Sequence, residues 1–225
     1  MGRLVVIEGL DGAGKRTLAE GLATELARRG RSTTRLAFPR YEQDVHAALV
    51  AEALRGGHGD LGDSVHGMAV LYALDRRGAV ESLNTALAAH DVVLLDRYVA
   101  SNAAYGAARL HEDAGGSFVA WVRGLEIDRF GLPRPDLHLL LQVAPEVAAG
   151  RAEHRERTET DRERDRFESD DSLQQRCRRV YAQLAAEQWW SPWLVVDGGA
   201  EVGGLGGADA ARTDLGALTD AVLGV

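Results

Sequence analysis

The sequence is short of three things, and each shortage excludes a class of protein. Its single cysteine, Cys177, cannot form an internal disulfide, so the fold has to be stabilised by a buried core. No stretch approaches the roughly 20 consecutive apolar residues that a membrane-spanning helix needs. Positive charge is in deficit, with a net charge of −8, which argues against nucleic acid or an anionic membrane as the main partner because both attract a broad positive surface.

The remaining composition is typical of one globular domain. With 45% apolar residues, the 225-residue chain can bury one substantial core, which predicts a single domain over residues 1–225. Met1-Gly2-Arg3 leads directly into an apolar run, so we expect no cleavable leader segment. Together with the unpaired cysteine, this start predicts a cytoplasmic location.

Lysine is nearly absent as well, and the one lysine, Lys15, stands at an informative place. An apolar run, Leu4–Ile7, precedes a glycine-rich turn, Gly9–Lys15, and leucines at helical spacing follow. In the pattern G-x-x-x-x-G-K the glycines let backbone N–H groups converge on phosphate oxygens, while the flexible lysine reaches the β- and γ-phosphates. The pattern therefore predicts a strand, a phosphate-binding loop and a helix that together bind a nucleotide.

One position departs from the usual form of this loop. The residue after Lys15, normally a serine or threonine that binds magnesium, is Arg16, and a hydroxyl comes one residue later, at Thr17. We therefore expect the metal ligands to be distributed differently in this chain.

The apolar runs alternate with helical patterns along the whole chain. This rhythm predicts an α/β fold of the P-loop NTPase type, with a parallel five-stranded sheet and helices on both faces. The five runs are Val5–Glu8, Thr34–Phe38, Val92–Asp96, Leu137–Val143 and Leu194–Asp197.

In such sheets ligands bind beyond the carboxyl ends of the strands. The second run leads into Phe38-Pro39-Arg40-Tyr41, and the third ends in Asp96-Arg97-Tyr98. A carboxylate at a strand tip is the form that holds or orients nucleotide-bound magnesium, and an adjacent arginine can clamp a phosphate. An ion pair at the edge of the core is the alternative for Asp96 and Arg97.

Residues 151–171 contain six arginines and nine acids, with Phe167 almost the only apolar side chain. A solvated helical face with ion pairs four residues apart would explain this composition. A mobile lid over the phosphates is the other interpretation, and the phosphate loop favours it.

The chain resembles the thymidylate kinases, a family of P-loop nucleoside monophosphate kinases. An aspartate at the third loop position and the Asp-Arg-Tyr segment distinguish this family from adenylate, guanylate and shikimate kinases. The resemblance rests on Glu8-Gly9-Leu10-Asp11-Gly12-Ala13-Gly14-Lys15, Phe38-Pro39-Arg40, Asp96-Arg97-Tyr98 followed by Ser101, Asn102, Ala104 and Tyr105, and Leu132-Pro133-Arg134-Pro135-Asp136.

The resemblance implies transfer of the ATP γ-phosphoryl group to dTMP with Mg²⁺. Catalysis then consists of positioning two anions and screening their repulsion. The implied catalytic residues are Lys15, Arg16, Asp11, Arg97 and Arg155. The implied ATP-binding residues are Gly9, Asp11, Gly12, Ala13, Gly14, Lys15, Arg16, Thr17, Arg151, Arg155 and Arg157, with Arg162 as a further arginine of the lid. The implied metal-binding residues are Asp11, Asp96 and Glu168, with Asp165 as a weaker candidate.

The resemblance also implies an acceptor site. Arg97 would hold the 5′-phosphate of dTMP, and Asp11 would lie between the donor and acceptor phosphates. Tyr72 and Arg76, four residues apart, would stack on thymine and donate to its O4, while Asn102 would offer a donor and acceptor pair to the N3 edge. Tyr105 would crowd the sugar C2′ and disfavour ribonucleotides. The pocket wall would be completed by Phe38, Pro39, Tyr41 and Phe167.

Several alternatives remain at this stage. Tyr41 and Tyr72 could be simple packing residues, and the acceptor could be dUMP, dCMP or a sugar. A catalytically silent nucleotide-binding module is a further alternative, although Lys15 and the arginine-rich segment favour an enzyme. The resemblance implies ATP and dTMP as partners and a homodimer formed by the apolar helices within Val65–Leu74 and Ala103–Leu110, while the net charge argues against nucleic acid or a membrane.

Overall fold

The computed structural model describes residues 1–143, 170–198 and 214–225. Its five strands form one sheet in the order β2-β3-β1-β4-β5, and every neighbouring pair is parallel. This confirms the predicted parallel sheet, with strand ends that differ from the predicted ones by at most two residues. The strands are β1 Arg3–Glu8, β2 Thr33–Ala37, β3 Val92–Asp96, β4 Leu137–Gln142 and β5 Trp193–Asp197.

Helices connect the strands, as right-handed parallel crossovers require. In the described ranges these are α1 Lys15–Arg28, α2 Val45–Leu54, α3 Val65–Gly78, α4 Val80–Ala89, α5 Val99–Arg109, α6 Ser117–Val122, α7 Asp171–Ala186 and α8 Leu215–Leu223. A π-helical segment, Arg123–Arg129, continues α6. No helix of the described residues is long and apolar enough to cross a membrane.

The sheet separates two apolar cores, because successive side chains of a strand point to opposite faces. Val5 and Ile7 of β1 belong to the core that also contains apolar residues of α1 and α8. Leu4 and Val6 belong to the larger core, which is covered by residues of α4, α5, α6 and α7. Helices on both faces are thus confirmed.

The register of the sheet brings the predicted functional segments to one edge. Ile7 pairs with Asp96, and Asp96 pairs in turn with Ala37 on the other side. Consequently the residues that follow β1, β2 and β3 all leave the sheet at the same end, next to one another. This common edge is the carboxyl end, where ligands bind in open parallel sheets.

Candidate active site

The loop between β1 and α1 adopts a conformation that depends on its glycines. Gly9, Gly12 and Gly14 have positive φ angles of 145°, 77° and 98°, which side chains with a Cβ rarely adopt. A Cβ on Gly9 would in addition lie 2.6 Å from the carbonyl oxygen of Leu141. Helix α1 begins directly after Gly14, which has no side chain that could cap the first turn of the helix. Its N-terminal N–H groups therefore face the loop, as in a phosphate-binding site.

Lys15 is folded back under this loop. Its Nζ donates to the carbonyl oxygens of Leu10 at 2.9 Å and Gly9 at 3.1 Å, and the side chain is buried. Burial, reinforced by the nearby charge of Arg97, lowers the pKa of Lys15 to about 8, against the opposing effect of Asp11, Asp96 and Glu8. The ammonium is thus held at the loop by two carbonyl groups that a phosphate can replace.

Asp11, Arg97 and Tyr105 form one hydrogen-bonded group at the mouth of the loop. Arg97 Nη2 donates to Asp11 Oδ1 at 2.5 Å, and the Tyr105 hydroxyl donates to Asp11 Oδ2 at 2.8 Å. The Arg97 guanidinium also lies 5.3 Å from the centroid of the Tyr105 ring. Burial alone would raise the pKa of Asp11, but the charges of Arg97 and Lys15 outweigh it and lower that pKa well below its ordinary value.

Arg97 has an uncommon backbone conformation, with φ at 66°. Its N–H donates to the carbonyl of Ile7 at 3.0 Å, which ties the turn after β3 to the end of β1. The guanidinium is anchored a second time, because Nη1 donates to Ser101 Oγ at 3.2 Å. The turn thereby directs the arginine toward the phosphate loop.

Glu8 organises this region and was missed by reasoning from the sequence. Its carboxylate is fully buried and accepts hydrogen bonds from the N–H of Tyr98 at 2.9 Å, from Ser101 Oγ at 2.6 Å and from the Tyr181 hydroxyl at 2.9 Å. Burial raises the pKa of Glu8 in spite of these bonds and the charge of Arg97. A charged residue that closes an otherwise apolar strand was the available indication.

Asp96 has the free acceptor that a cation site requires. Its Oδ1 is buried and has no hydrogen-bond partner among the described residues. The carboxylate oxygens of Asp11, in contrast, each accept one hydrogen bond, from Arg97 and from Tyr105. No three His, Cys, Asp or Glu side chains of the described ranges form a metal-binding group by themselves. Magnesium retains water and phosphate ligands, so one carboxylate suits it.

Arg16 and Thr17, the residues that follow Lys15, lie on the exposed side of α1. Arg16 is directed along the helix, where its Nε donates to Glu20 at 3.1 Å. The contacts of Arg16 and Thr17 with ATP stay predictions.

The two polar residues predicted to bind the base, Arg76 and Asn102, are buried. Arg76 forms a bidentate ion pair with Glu126, with distances of 2.6 and 2.8 Å, and both side chains are buried. Asn102 Nδ2 donates to the same carboxylate at 2.8 Å and to the carbonyl of Ala69 at 3.0 Å. Arg76 and Asn102, which are 26 positions apart in the chain, are therefore brought together through Glu126, which the sequence analysis did not single out.

The aromatic candidates lie in different surroundings. Phe38, which precedes Pro39 through a cis peptide bond, lies with its ring centroid 5.9 Å from that of Tyr98. Tyr41 is exposed, whereas Tyr72 packs against the small cluster formed by Val50, Ala53 and Met68. The candidates on the arginine-rich segment lie outside the described residues, namely Arg151, Arg155, Arg157, Arg162, Asp165, Phe167 and Glu168.

Comparison with known proteins agrees with this geometry. The family model described as thymidylate kinase matches residues 7–199. A thymidylate kinase of Mycobacterium tuberculosis (strain CDC 1551 / Oshkosh) is 55% identical over 199 residues, which cover 88% of this chain and 92% of that protein. A thymidylate kinase of Xanthomonas campestris pv. campestris (strain B100) is 38% identical over 185 residues, covering 81% of this chain and 72% of that protein.

Proposed function

The chain belongs to the thymidylate kinase family, and from that premise we propose that it transfers the γ-phosphoryl group of ATP to dTMP, giving dTDP and ADP. Two anions must approach each other for this reaction, so the protein has to supply positive charge from two directions. The group formed by Asp11, Arg97 and Tyr105 beside Lys15 supports this function most directly.

On the donor side, the phosphate loop receives ATP. The N–H groups of the loop and the first turn of α1 contact the phosphate oxygens, and Lys15 moves its ammonium from the carbonyls of Gly9 and Leu10 to the phosphates. The lid arginines Arg151, Arg155 and Arg157, with Arg16, would complete the positive shell around the transferred group.

On the acceptor side, Arg97 binds the 5′-phosphate of dTMP. Its guanidinium is anchored to Asp11 and Ser101. Burial by itself would lower the pKa of this guanidinium, but the charge of Asp11 helps to raise it above its ordinary value. Asp11, which contacts Arg97, would then lie between the two phosphate positions, as the family resemblance implies. Tyr105, whose hydroxyl donates to the same aspartate, would restrict the sugar at C2′.

Magnesium fits the same edge of the sheet. Asp96 offers the buried oxygen without a hydrogen-bond partner, and Asp11 and Glu168 are the further candidates. When bound, the ion would neutralise charge on the ATP phosphates and orient them toward the acceptor. In this chain, carboxylates and water would take the place of the hydroxyl ligand that Arg16 replaces.

The remaining parts of the proposal concern the whole chain. We expect residues 1–225 to form a single domain, with residues 151–171 as the lid, and to act in the cytoplasm as a homodimer. The base pocket would be formed by Phe38, Pro39, Tyr41, Tyr72, Arg76, Asn102 and Phe167.

A coupled ADP-release assay tests the proposed reaction. With ATP and Mg²⁺, the acceptors dTMP, dUMP, UMP, dCMP, AMP and shikimate are compared, and dTMP is expected to give the highest kcat/KM. ATP binding without turnover of any acceptor would instead support a silent nucleotide-binding module, and equal activity across the panel would exclude the assigned acceptor site.

Replacement of Arg97 tests its assignment to the acceptor. Arg97→Ala should raise the KM for dTMP by about tenfold to a hundredfold, the effect of losing a charged hydrogen bond, and change the KM for ATP far less. Arg28→Ala removes an arginine paired with Glu25 on the exposed side of α1 and serves as the matched control. Equal increases in both KM values would remove Arg97 from the acceptor site.

A further inference from the structure

Glu126 is a buried carboxylate that contacts both candidate base-binding side chains. It is fully buried. It accepts hydrogen bonds from Arg76 Nε at 2.6 Å, from Arg76 Nη2 at 2.8 Å and from Asn102 Nδ2 at 2.8 Å. Removing one member of such a buried pair leaves an uncompensated charge, so this contact strongly restrains both partners.

The two contacts of Asn102 determine which way its amide faces. The carbonyl oxygen of Ala69 can only accept a hydrogen bond, and the Glu126 carboxylate, paired with Arg76, also presents acceptor oxygens. The amide nitrogen of Asn102, and not its oxygen, must therefore face Ala69 and Glu126. Both of its N–H groups are used, and Oδ1, which makes no hydrogen bond with the described residues, is left as an acceptor.

The contact with Glu126 also restrains the Arg76 guanidinium and leaves one of its nitrogens as a donor. Nε and Nη2 are committed to Glu126, so Nη1 is the nitrogen that this ion pair leaves available as a donor. These two side chains thus offer one donor, from Arg76, and one acceptor, from Asn102. Thymine matches this pattern with O4 as acceptor and N3–H as donor, whereas cytosine presents an amine donor at C4 and an unprotonated N3 acceptor.

The element that carries Glu126 is unusual. Glu126 belongs to the π-helical segment Arg123–Arg129, in which the N–H of Phe130 reaches the carbonyl of Leu125 at 3.0 Å, five residues back. Single π-helical turns are rare and frequently occur at functional sites. The widened turn places the Glu126 side chain against α3 and α5, where Arg76 and Asn102 lie.

We propose that Glu126 is a positioning residue that fixes the Asn102 amide as an acceptor and the Arg76 guanidinium as a donor. It thereby selects a pyrimidine that carries a proton on N3 over cytosine. This inference rests on the proposed function and adds to it the origin of base selectivity. Glu126 itself need not touch the substrate.

Glu126→Gln tests this role, because the neutral amide carries an N–H₂ group and no longer demands that Asn102 face it with nitrogen, which leaves the weaker Ala69 carbonyl as the remaining contact that orients the Asn102 amide. The measured quantity is the ratio of kcat/KM for dTMP to that for dCMP, which should fall at least about tenfold, the effect of one mismatched hydrogen bond. The ratio of dTMP to dUMP should be unchanged, because both bases carry N3–H. Where dCMP is not turned over, its inhibition constant against dTMP replaces its kcat/KM.

Two further variants make the test specific. Glu112→Gln alters a carboxylate that caps the start of α6 through the N–H of Phe118, without contact to Arg76 or Asn102, and should leave both ratios at their wild-type values. Glu126→Asp keeps the charge but withdraws it from Asn102, so the dTMP to dCMP ratio should fall in the same direction even if Glu126→Gln does not fold.

The outcomes separate this inference from the proposed function. A wild-type protein that does not phosphorylate dTMP would overturn the proposed function and this inference with it. Wild-type activity on dTMP with an unchanged dTMP to dCMP ratio in the folded Glu126 variants would overturn the inference alone. A parallel loss for dTMP, dUMP and dCMP would likewise overturn it, because that result indicates only a structural role.

Discussion

At the scale of single residues, the charge state of Lys15 limits how the site works. Its pKa of about 8 is set first by burial and next by the charge of Arg97, and is opposed by Asp11, Asp96 and Glu8. Phosphates need the protonated ammonium, and bound phosphate favours that form. The shift also affects stability: because the folded pKa lies below the ordinary value of 10.5, the buried charge is unfavourable below pH 8 and its cost disappears as the pH rises toward 10.5.

This shift predicts a particular pH dependence. The kcat/KM for ATP, which reports the free enzyme, should decrease above pH 8 by about tenfold per pH unit as Lys15 loses its proton. The kcat at saturating ATP should persist to higher pH, because the phosphates raise the pKa of the lysine. Initial rates between pH 6.5 and 10 measure both quantities, and a kcat/KM for ATP that stays constant to pH 9.5 would contradict the prediction.

The residue scale also shows which assignments the sequence could support. Lys15, Asp11 and Arg97 belong to recognisable local motifs, and the structure places them in contact or close proximity. Glu8 and Glu126 were not singled out, because their roles depend on partners that are 50 or more positions away for the main contacts, such as Tyr98, Tyr181 and Arg76. A sequence motif consists of residue types at a fixed spacing, whereas the residues in these contacts are not related by any fixed spacing along the chain.

At the scale of elements, Glu8 links the end of β1 to two helices. It accepts from the N–H of Tyr98, which precedes α5, from Ser101 within α5, and from Tyr181 of α7. The same turn holds Arg97 in its left-handed conformation. One carboxylate therefore couples the phosphate loop, the acceptor arginine and the helix that follows the arginine-rich segment.

Replacement of Glu8 should separate its hydrogen bonds from its charge. Glu8→Ala removes the acceptor of one buried N–H and of two hydroxyls, of which only the Ser101 and Tyr181 hydroxyls can still bond to each other, and should lower the free energy of unfolding by about 2–4 kcal/mol. Glu8→Gln retains one carbonyl oxygen for Tyr98 and should cost less than about 1 kcal/mol. Urea denaturation measures both changes, and Glu52→Ala, at an exposed glutamate, is the control. Equal losses for the two Glu8 variants would show that its charge, not its hydrogen bonds, stabilises the fold.

The π-helical segment is an element whose type could not be predicted from the sequence. Residues 117–129 have an apolar pattern compatible with one regular helix, whereas the structure changes from α-helix to π-helix at Arg123. The extra residue per turn is stabilised by burying Glu126 against Arg76, a contact that exists only once α3 is in place. Tertiary packing, rather than local propensity, therefore decides this element.

At the scale of the whole molecule, the apolar surface of α3 bears on assembly. Val70, Leu71 and Leu74 of α3 stay partly exposed in the single chain, which is compatible with the homodimer expected from the family resemblance. Sedimentation velocity at micromolar concentration should give about twice the chain mass of 24.2 kDa. Val70→Arg should shift the species toward the monomer, because a charge in an apolar interface is costly, while Glu52→Ala should not. A wild-type monomer under these conditions would refute the expectation.

By itself, the sequence determined the parallel α/β sheet, the phosphate loop and the family of the protein. These follow from periodicity, glycine placement and motifs that are local along the chain. Only the tertiary structure decided which side chains of the site form hydrogen bonds with one another. These bonds join Asp11 to Arg97 and Tyr105, Glu8 to Tyr98 and Tyr181, and Glu126 to Arg76 and Asn102. The physical reason is that a buried carboxylate must find its hydrogen-bond partners wherever the packed core supplies them, and the core brings together residues that no local pattern relates.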